Sequence, residues 1–552
     1  MTEPLLSVTD LRVSFETPNG PFEAVSGVSF DVAPGETVAI VGESGSGKST
    51  IAASINRLLA SNGRISSGSI RFGGRELTGL PEREMISLRG AGIGLVPQDP
   101  MSNLNPVHTI GAQVLEALEV HGRGRGDAAK RRVIELLELV GIPDAEQRAQ
   151  QFPHEFSGGM RQRALIAIGL ACEPQLLIAD EPTSALDVTV QRRVLDTMDE
   201  LTSRIGTAVV LITHDLALAA ERADRALVMY RGELVEVGEA RELLERPQHE
   251  YTKRLVQAAP SLATTPLIDR TALRDARDAS APGTGQASAS VPAPEPLVTV
   301  SGVGRKYRRR GARGDDFWAA RDVSFAIPAG RTVSIVGESG SGKSTTAKIL
   351  LGLETASEGS IQIGGRELSS LRGGDLLAVR RRVQPVFQNP FASLDPRFTI
   401  ERSVSEPLRV HRIGDRASRA ERVRELLELV ALPATAAERL PHELSGGQRQ
   451  RVAIARAIAL EPELVVLDEA VSALDVLVQS QILDLLVDLQ QRLGLSYLFI
   501  SHDLAVVNML SHEVHVMQGG RIVESGVPEQ IFSHPQHPYT RELIAAIPGA
   551  AL

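Results

Sequence analysis

Nine residues, GESGSGKST, stand at 42–50 of this chain and again at 337–345. The match extends well beyond them. "VPQDPMSNLNPVHTI" (96–110) answers "VFQNPFASLDPRFTI" (386–400), and "FPHEFSGGMRQRALIAIGLA" (152–171) answers "LPHELSGGQRQRVAIARAIA" (440–459). "LLIADEPTSALDVTVQ" (176–191) answers "LVVLDEAVSALDVLVQ" (464–479), and "LITHDLA" (211–217) answers "FISHDLA" (499–505). One order kept twice is a duplicated domain rather than a short-period solenoid. A length of 552 residues, beyond the roughly 250–300 that one hydrophobic core supports, requires the same division. The expected domains are residues 1–262 and 297–552. Between them, 263–296 reads as a flexible linker, because "ASAPGTGQASASVPAPEP" (279–296) holds four prolines and no periodic apolar face.

Each half opens with short alternating strands (5–15 and 297–307) and reaches an apolar strand, "TVAIV" or "TVSIV", just before the repeated segment. Helices are expected directly after it, over "KSTIAASINRLLA" (48–60) and "KSTTAKILLGL" (343–353). Buried-strand runs "LLIAD", "AVVLIT", "LVVLD" and "YLFIS" then alternate with helical stretches, which predicts an α/β core with a mainly parallel sheet. The stretches 98–157 and 388–445 read as mostly helical subdomains.

GESGSGKST fits G-x-x-x-x-G-K-[ST] in the strand-to-helix context of a phosphate-binding loop. Gly42, Ser44, Gly45 and Gly47, with Gly337, Ser339, Gly340 and Gly342, form loops whose N–H groups can curl around phosphate. Only six residues of the chain are lysine, and two of them, Lys48 and Lys343, stand here among habitual arginines, where they are expected to hold β and γ phosphates. Ser49 and Ser344 are candidate Mg²⁺ ligands; Thr50 and Thr345 close the motif.

Asp180 and Glu181, like Asp468 and Glu469, end apolar strands where idle carboxylates would be costly. The aspartates are candidate metal ligands, the glutamates candidates to orient or deprotonate an attacking water. His214 and His502 end later strands as candidate γ-phosphate contacts, and Gln98 and Gln388 are candidate metal or water ligands. Ser157, Gly158, Gly159 and Met160, with Ser445, Gly446, Gly447 and Gln448, open helices that offer N–H groups to an anion.

Phosphate loop, glutamine loop, SGG signature, acidic pair, "SALD" and histidine, in that order and twice, resemble the nucleotide-binding domains of ATP-binding cassette (ABC) ATPases. The resemblance implies two P-loop NTPase domains, each with a RecA-like α/β core, an N-terminal antiparallel β subdomain and a helical signature subdomain. It implies two MgATP sites formed head to tail, each loop capped by the other half's signature, with Asp187 and Asp475 of "SALD" also at the nucleotide. Phe15 and Tyr307 fall where the family stacks an aromatic on adenine; a core position is the competing reading for Phe15. Met160 stands where the family carries glutamine, which predicts two hydrolytic sites of unequal rate.

Both halves also end alike, in "ERPQHEYTKRLVQAAP" (245–260) and "SHPQHPYTRELIAAIP" (533–548). These tails resemble those of dipeptide, oligopeptide and nickel importers, and the chain looks like the two ATPase subunits of such a system fused. The residues alone read the tail as a short helix packing on its own domain. The resemblance implies an energising subunit at the cytoplasmic face of the membrane, two permease partners and an external binding protein. Peptide is the expected solute, with nickel, glutathione or sugar as alternatives. No iron–sulfur centre is expected, since Cys172 is the single cysteine.

A formal charge of −9 argues against nucleic acid, and no apolar run reaches the roughly 18–20 residues that cross a bilayer. The basic stretch 305–318 reads as a solvated hairpin. A soluble tandem ATPase acting on ribosomes or DNA is the rival class; the linker lacks the charged helical arms and zinc cysteines such proteins carry.

Overall fold

The computed structural model describes residues 3–18, 20–183, 186–260, 266–268, 296–307, 317–389, 393–472 and 474–547. Most of the expected linker, residues 308–316 of the basic stretch and parts of both "SALD" segments lie outside these. The chain forms two compact units, principally Met1–Ala259 and Pro260–Leu474 with Val478–Ala550.

In the first unit, β1 (Leu6–Thr17), β2 (Gly20–Val32), β4 (Gly63–Phe72) and β5 (Arg75–Glu76) make an antiparallel sheet in the order β2-β1-β4-β5. The core sheet joins β3 (Thr37–Val41), β6 (Ile93–Val96), β7 (Leu176–Asp180), β8 (Ala208–Thr213), β9 (Arg225–Tyr230) and β10 (Glu233–Glu239) in the order β10-β9-β3-β8-β7-β6. Its members are parallel except β10, which runs antiparallel along the β9 edge.

The second unit repeats both sheets. β11 (Val298–Tyr307), β12 (Phe317–Ile327), β14 (Glu358–Ile363) and β15 (Arg366–Glu367) pair as β12-β11-β14-β15. β13 (Thr332–Val336), β16 (Val383–Val386), β17 (Leu464–Asp468), β18 (Ser496–Ser501), β19 (Glu513–Gln518) and β20 (Arg521–Gly526) follow the order β16-β17-β18-β13-β19-β20.

Strand alternation explains the unbroken apolar runs. Leu176, Ile178, Val210 and Ile212 face a core shared with the β subdomain, whereas Leu177, Ala179, Val209 and Leu211 face one shared with the helical subdomain. A strand covered on both faces has no polar side to show. In β1 the period-2 pattern slips: Leu6 and Val8 are buried, then Leu11 and Val13. The register shift between Val8 and Leu11 absorbs the extra residue, and β11 repeats the shift between Val300 and Val303.

The helices after the phosphate loops are shorter than expected, ending at Ile55 and Leu350. Left-handed backbone at Arg57 (φ 51°) and Gly352 (φ 64°) stops them. Of the expected linker, Leu267 donates its N–H to the Met509 carbonyl at 2.9 Å and Ile268 is buried. Among the described residues no helix is long and apolar enough to cross a membrane.

Candidate functional site

Sheet order assembles each site. β3, β8 and β7 are neighbours, so the loop after β3, the acidic pair at the end of β7 and His214 after β8 meet at one carboxyl edge of the sheet. β13, β18 and β17 do the same for the second loop, Asp468–Glu469 and His502.

Gly47 and Gly342 initiate the helices with φ 102° and 106°, a conformation glycine adopts without strain. A Cβ on either would also strike a backbone oxygen, Ala24 at 2.6 Å or Ala319 at 2.2 Å. Lys48 is buried, and its Nζ donates to the carbonyls of Gly42 (2.7 Å) and Glu43 (2.8 Å). Lys343 makes the same pair of bonds to Gly337 (2.7 Å) and Glu338 (2.8 Å). Burial pushes the Lys48 ammonium below its usual range, against the pull of Glu181 and Asp180. Ser49 Oγ donates to Asp180 at 3.0 Å, and Ser344 Oγ to Asp468 at 3.1 Å.

Glu181 and Glu469 each leave their strand in left-handed backbone, φ 44° and 49°, with their N–H groups donating to Ile212 and Ile500 (2.9 Å). The turn brings each carboxylate between an amide and an imidazole. Gln98 Nε2 donates to Glu181 and Gln388 Nε2 to Glu469, both at 2.7 Å. His214 Nδ1 lies 3.4 Å from the other Glu181 oxygen, Oε1, whereas His502 Nδ1 lies 3.4 Å from the same Glu469 oxygen, Oε2, that Gln388 contacts.

Adjacent carboxyls are driven in opposite directions. Burial raises Asp180 and Asp468. Burial also acts upward on Glu181 and Glu469, but the hydrogen bond and charge of the paired histidine, with the charge of the loop lysine, outweigh it and hold both below the usual carboxylate range. His214 and His502 are correspondingly raised: burial opposes their charge, and the glutamates prevail. A carboxylate kept ionised is in the protonation state in which it can orient a water and take up its proton.

Ser157 and Ser445 cap the signature helices Gly158–Leu170 and Gly446–Ile458, accepting from the N–H of Met160 and of Gln448 at 3.3 Å. Gln448 returns the bond, its Oε1 accepting the Ser445 N–H at 3.1 Å. Met160 cannot, and its side chain packs instead on the helical core. The two signatures therefore differ by a capping box, present at Ser445–Gln448 and absent at Ser157–Met160. Asp187 caps the helix Val188–Ile205, accepting from Val190 N–H at 3.0 Å and the Thr189 hydroxyl at 2.9 Å; Asp475 directly precedes the helix Val476–Leu493. Phe15 is half-buried against the β-subdomain core, beside Gly63. Tyr307 donates its hydroxyl to Glu354, and the Arg305 guanidinium lies 4.9 Å from its ring centroid.

Two features fit an anionic phosphate ligand and its cation. Among the described residues, Ser46 Oγ and Ser341 Oγ are buried inside the loops with no partner, and a Cβ on Gly45 or Gly340 (φ 79° and 81°) would meet nothing within 4 Å. The oxygens of Ser49, Asp180 and Gln98, and of Ser344, Asp468 and Gln388, are the hard donors that Mg²⁺ prefers. Sequence reasoning named Ser44 and Ser339, which are exposed, and passed over Ser46 and Ser341. It also missed Tyr251 and Tyr539 of the tails, whose hydroxyls accept the loop N–H groups of Glu43 (3.0 Å) and Glu338 (2.9 Å). Repetition of Y-T at the same place in both tails was the available signal.

The ABC transporter family model matches residues 25–184 and 320–472, and the model of the oligopeptide/dipeptide transporter C-terminal region matches 235–282 and 523–551. The glutathione import ATP-binding protein GsiA of Salmonella choleraesuis is 44% identical over 559 residues, covering 99% of this chain and 90% of the relative. GsiA of Escherichia coli K12 shows the same identity and coverage. The oligopeptide transport ATP-binding protein OppD of Mycobacterium bovis is 44% identical over 605 residues, 99% of this chain and 98% of the relative. With a matched cassette in each half around the geometry above, this chain belongs to the ABC transporter ATPase family and carries two of its domains in tandem.

Proposed function

We propose that the chain is the energising subunit of an importer for small peptides, bound peripherally at the cytoplasmic face of a membrane to two permeases served by an external binding protein. The observation that carries this reading is the transporter-specific tail after each cassette, matched in both halves. Relatives named for glutathione import and for oligopeptide transport are equally similar, and glutathione is itself a small peptide. A peptide class accommodates both.

At each site, Lys48 or Lys343 leaves its loop carbonyls to hold the β and γ phosphates of ATP, and the loop N–H groups cradle them. Ser49, Asp180 and Gln98, or Ser344, Asp468 and Gln388, would hold Mg²⁺, which neutralises charge on the phosphates. Glu181 and Glu469 accept the proton of the attacking water. His214 and His502 keep those carboxylates ionised and reach toward the terminal phosphate. Asp187, Asp475, Phe15 and Tyr307 belong to the nucleotide's surroundings, with adenine on the two aromatics.

Reconstitution with its permeases and binding protein in liposomes tests the solute. ATP-dependent uptake of labelled dipeptides, longer peptides or glutathione is expected. Uptake of Ni²⁺ with none of any peptide would overturn the assignment.

A further inference from the structure

Each tail is anchored so that one hydroxyl reaches the phosphate loop. In the first unit Glu236 on β10 accepts from the N–H groups of Gln248 (2.7 Å) and His249 (3.1 Å). His249 Nδ1 then accepts the Tyr251 N–H at 3.2 Å, starting the helix Glu250–Ala258. The second unit repeats the device: Glu524 accepts from Gln536 (2.8 Å) and His537 (3.1 Å), and His537 Nδ1 from Tyr539 (3.2 Å).

The tyrosines are only 3% and 4% exposed. Tyr251 packs in one cluster with Ala39 and Val41 of β3, the strand that feeds the loop, and with Leu216 and Ala219 of the helix that follows His214. Its hydroxyl accepts the Glu43 N–H, while the Glu43 and Gly42 carbonyls receive the Lys48 ammonium. The opening peptide of the loop is thus held from both sides, by the lysine on its oxygens and by the tail on its nitrogen. Glu338, Tyr539, Gly337 and Lys343 repeat the arrangement. The rings' surroundings differ, since Tyr230 lies against Tyr251 (centroids 4.3 Å apart) where the second unit has Gln518 at the matching strand position. The hydrogen bond persists through that change of packing.

We propose that Tyr251 and Tyr539 are positioning residues for nucleotide binding, each tail hydroxyl fixing the first peptide of its phosphate loop in the shape that presents the loop's N–H groups and lysine to phosphate. When the lysine exchanges its carbonyl partners for phosphate oxygens, the tyrosine still holds that peptide. The contribution is the same in ground and transition states, so it acts on binding rather than on the chemical step. This inference rests on the loops being the nucleotide sites.

The test uses the full chain carrying both Tyr251→Phe and Tyr539→Phe, which keep the rings and remove two oxygens. Loss of one neutral hydrogen bond per site predicts MgATP binding and KM weaker by about threefold to tenfold with kcat unchanged. Hydrogen–deuterium exchange should quicken in the peptides containing Glu43 and Glu338. A purely structural role would lower the thermal midpoint and leave KM and kcat as in wild type. Lys48→Ala with Lys343→Ala is the reference. If that lysine pair still binds MgATP normally, the loops are not the sites; if it loses binding while the tyrosine pair keeps wild-type affinity and KM, the tail proposal alone is overturned.

Discussion

Glu181 and Glu469 occupy left-handed backbone, φ 44° and 49°, which costs a non-glycine residue roughly 1–2 kcal/mol. Paying that twice, at matched positions, turns each carboxylate from its strand into the space between a glutamine and a histidine. The ion pair makes a signed prediction about pH. The imidazolium contribution is fully present below the ordinary histidine value of about 6.5 and is lost as pH rises through the raised pKa of His214 and His502. The carboxylate contribution is present above about 4.3 and is lost as pH falls through the lowered pKa of Glu181 and Glu469. NMR titration of the imidazoles should place both midpoints above about 6.5, and Glu181→Gln should lower that of His214 while leaving His502 in place. An unmoved His214 midpoint would remove the pair. The acidic dipeptides were legible because they close apolar runs; the backbone turn that separates their roles was not, since nothing in "ADE" or "LDE" marks a left-handed glutamate.

At the scale of the element, the second glycine of each signature is a packing residue. A Cβ on Gly159 would lie 2.4 Å from Val190 Cγ1, and one on Gly447 would lie 2.3 Å from Val478 Cγ1. The first glycines are more open: among the described residues a Cβ on Gly158 or Gly446 meets only a leucine methyl, at 3.7 or 3.9 Å. Gly159→Ala should therefore destabilise the chain by about 1–3 kcal/mol, read from denaturant unfolding, and Val190→Ala in the same chain should restore part of the loss. Gly158→Ala should cost much less. The SGG motif was visible in the sequence as an anion-facing helix start, but the contact that requires its last glycine comes from a helix about thirty residues on. The same limit applies to the helices at Lys48 and Lys343. Their starts follow from the motif, whereas the stop at Ile55 depends on a left-handed Arg57 that composition does not announce.

For the whole molecule, duplication made most of the architecture readable. Matched motifs marked two α/β cores, and the unbroken apolar runs of β3, β7 and β8 marked strands covered on both faces, whereas the order in which they lie side by side is not written in those runs. The tails were harder: each is a helix on its own domain, as its apolar face implies, but the hydroxyl contact to the phosphate loop needed coordinates. What the two copies do not share is equally informative. The Ser445–Gln448 capping box has no counterpart at Ser157–Met160, so the two sites should not turn over at one rate. Single-turnover hydrolysis of MgATP by Glu181→Gln, by Glu469→Gln and by the double variant tests the account most directly. It predicts unequal losses in the single variants and, in the double variant, retained ATP binding with hydrolysis slowed by about 10²–10⁴-fold. Hydrolysis at the wild-type rate in the double variant would contradict it.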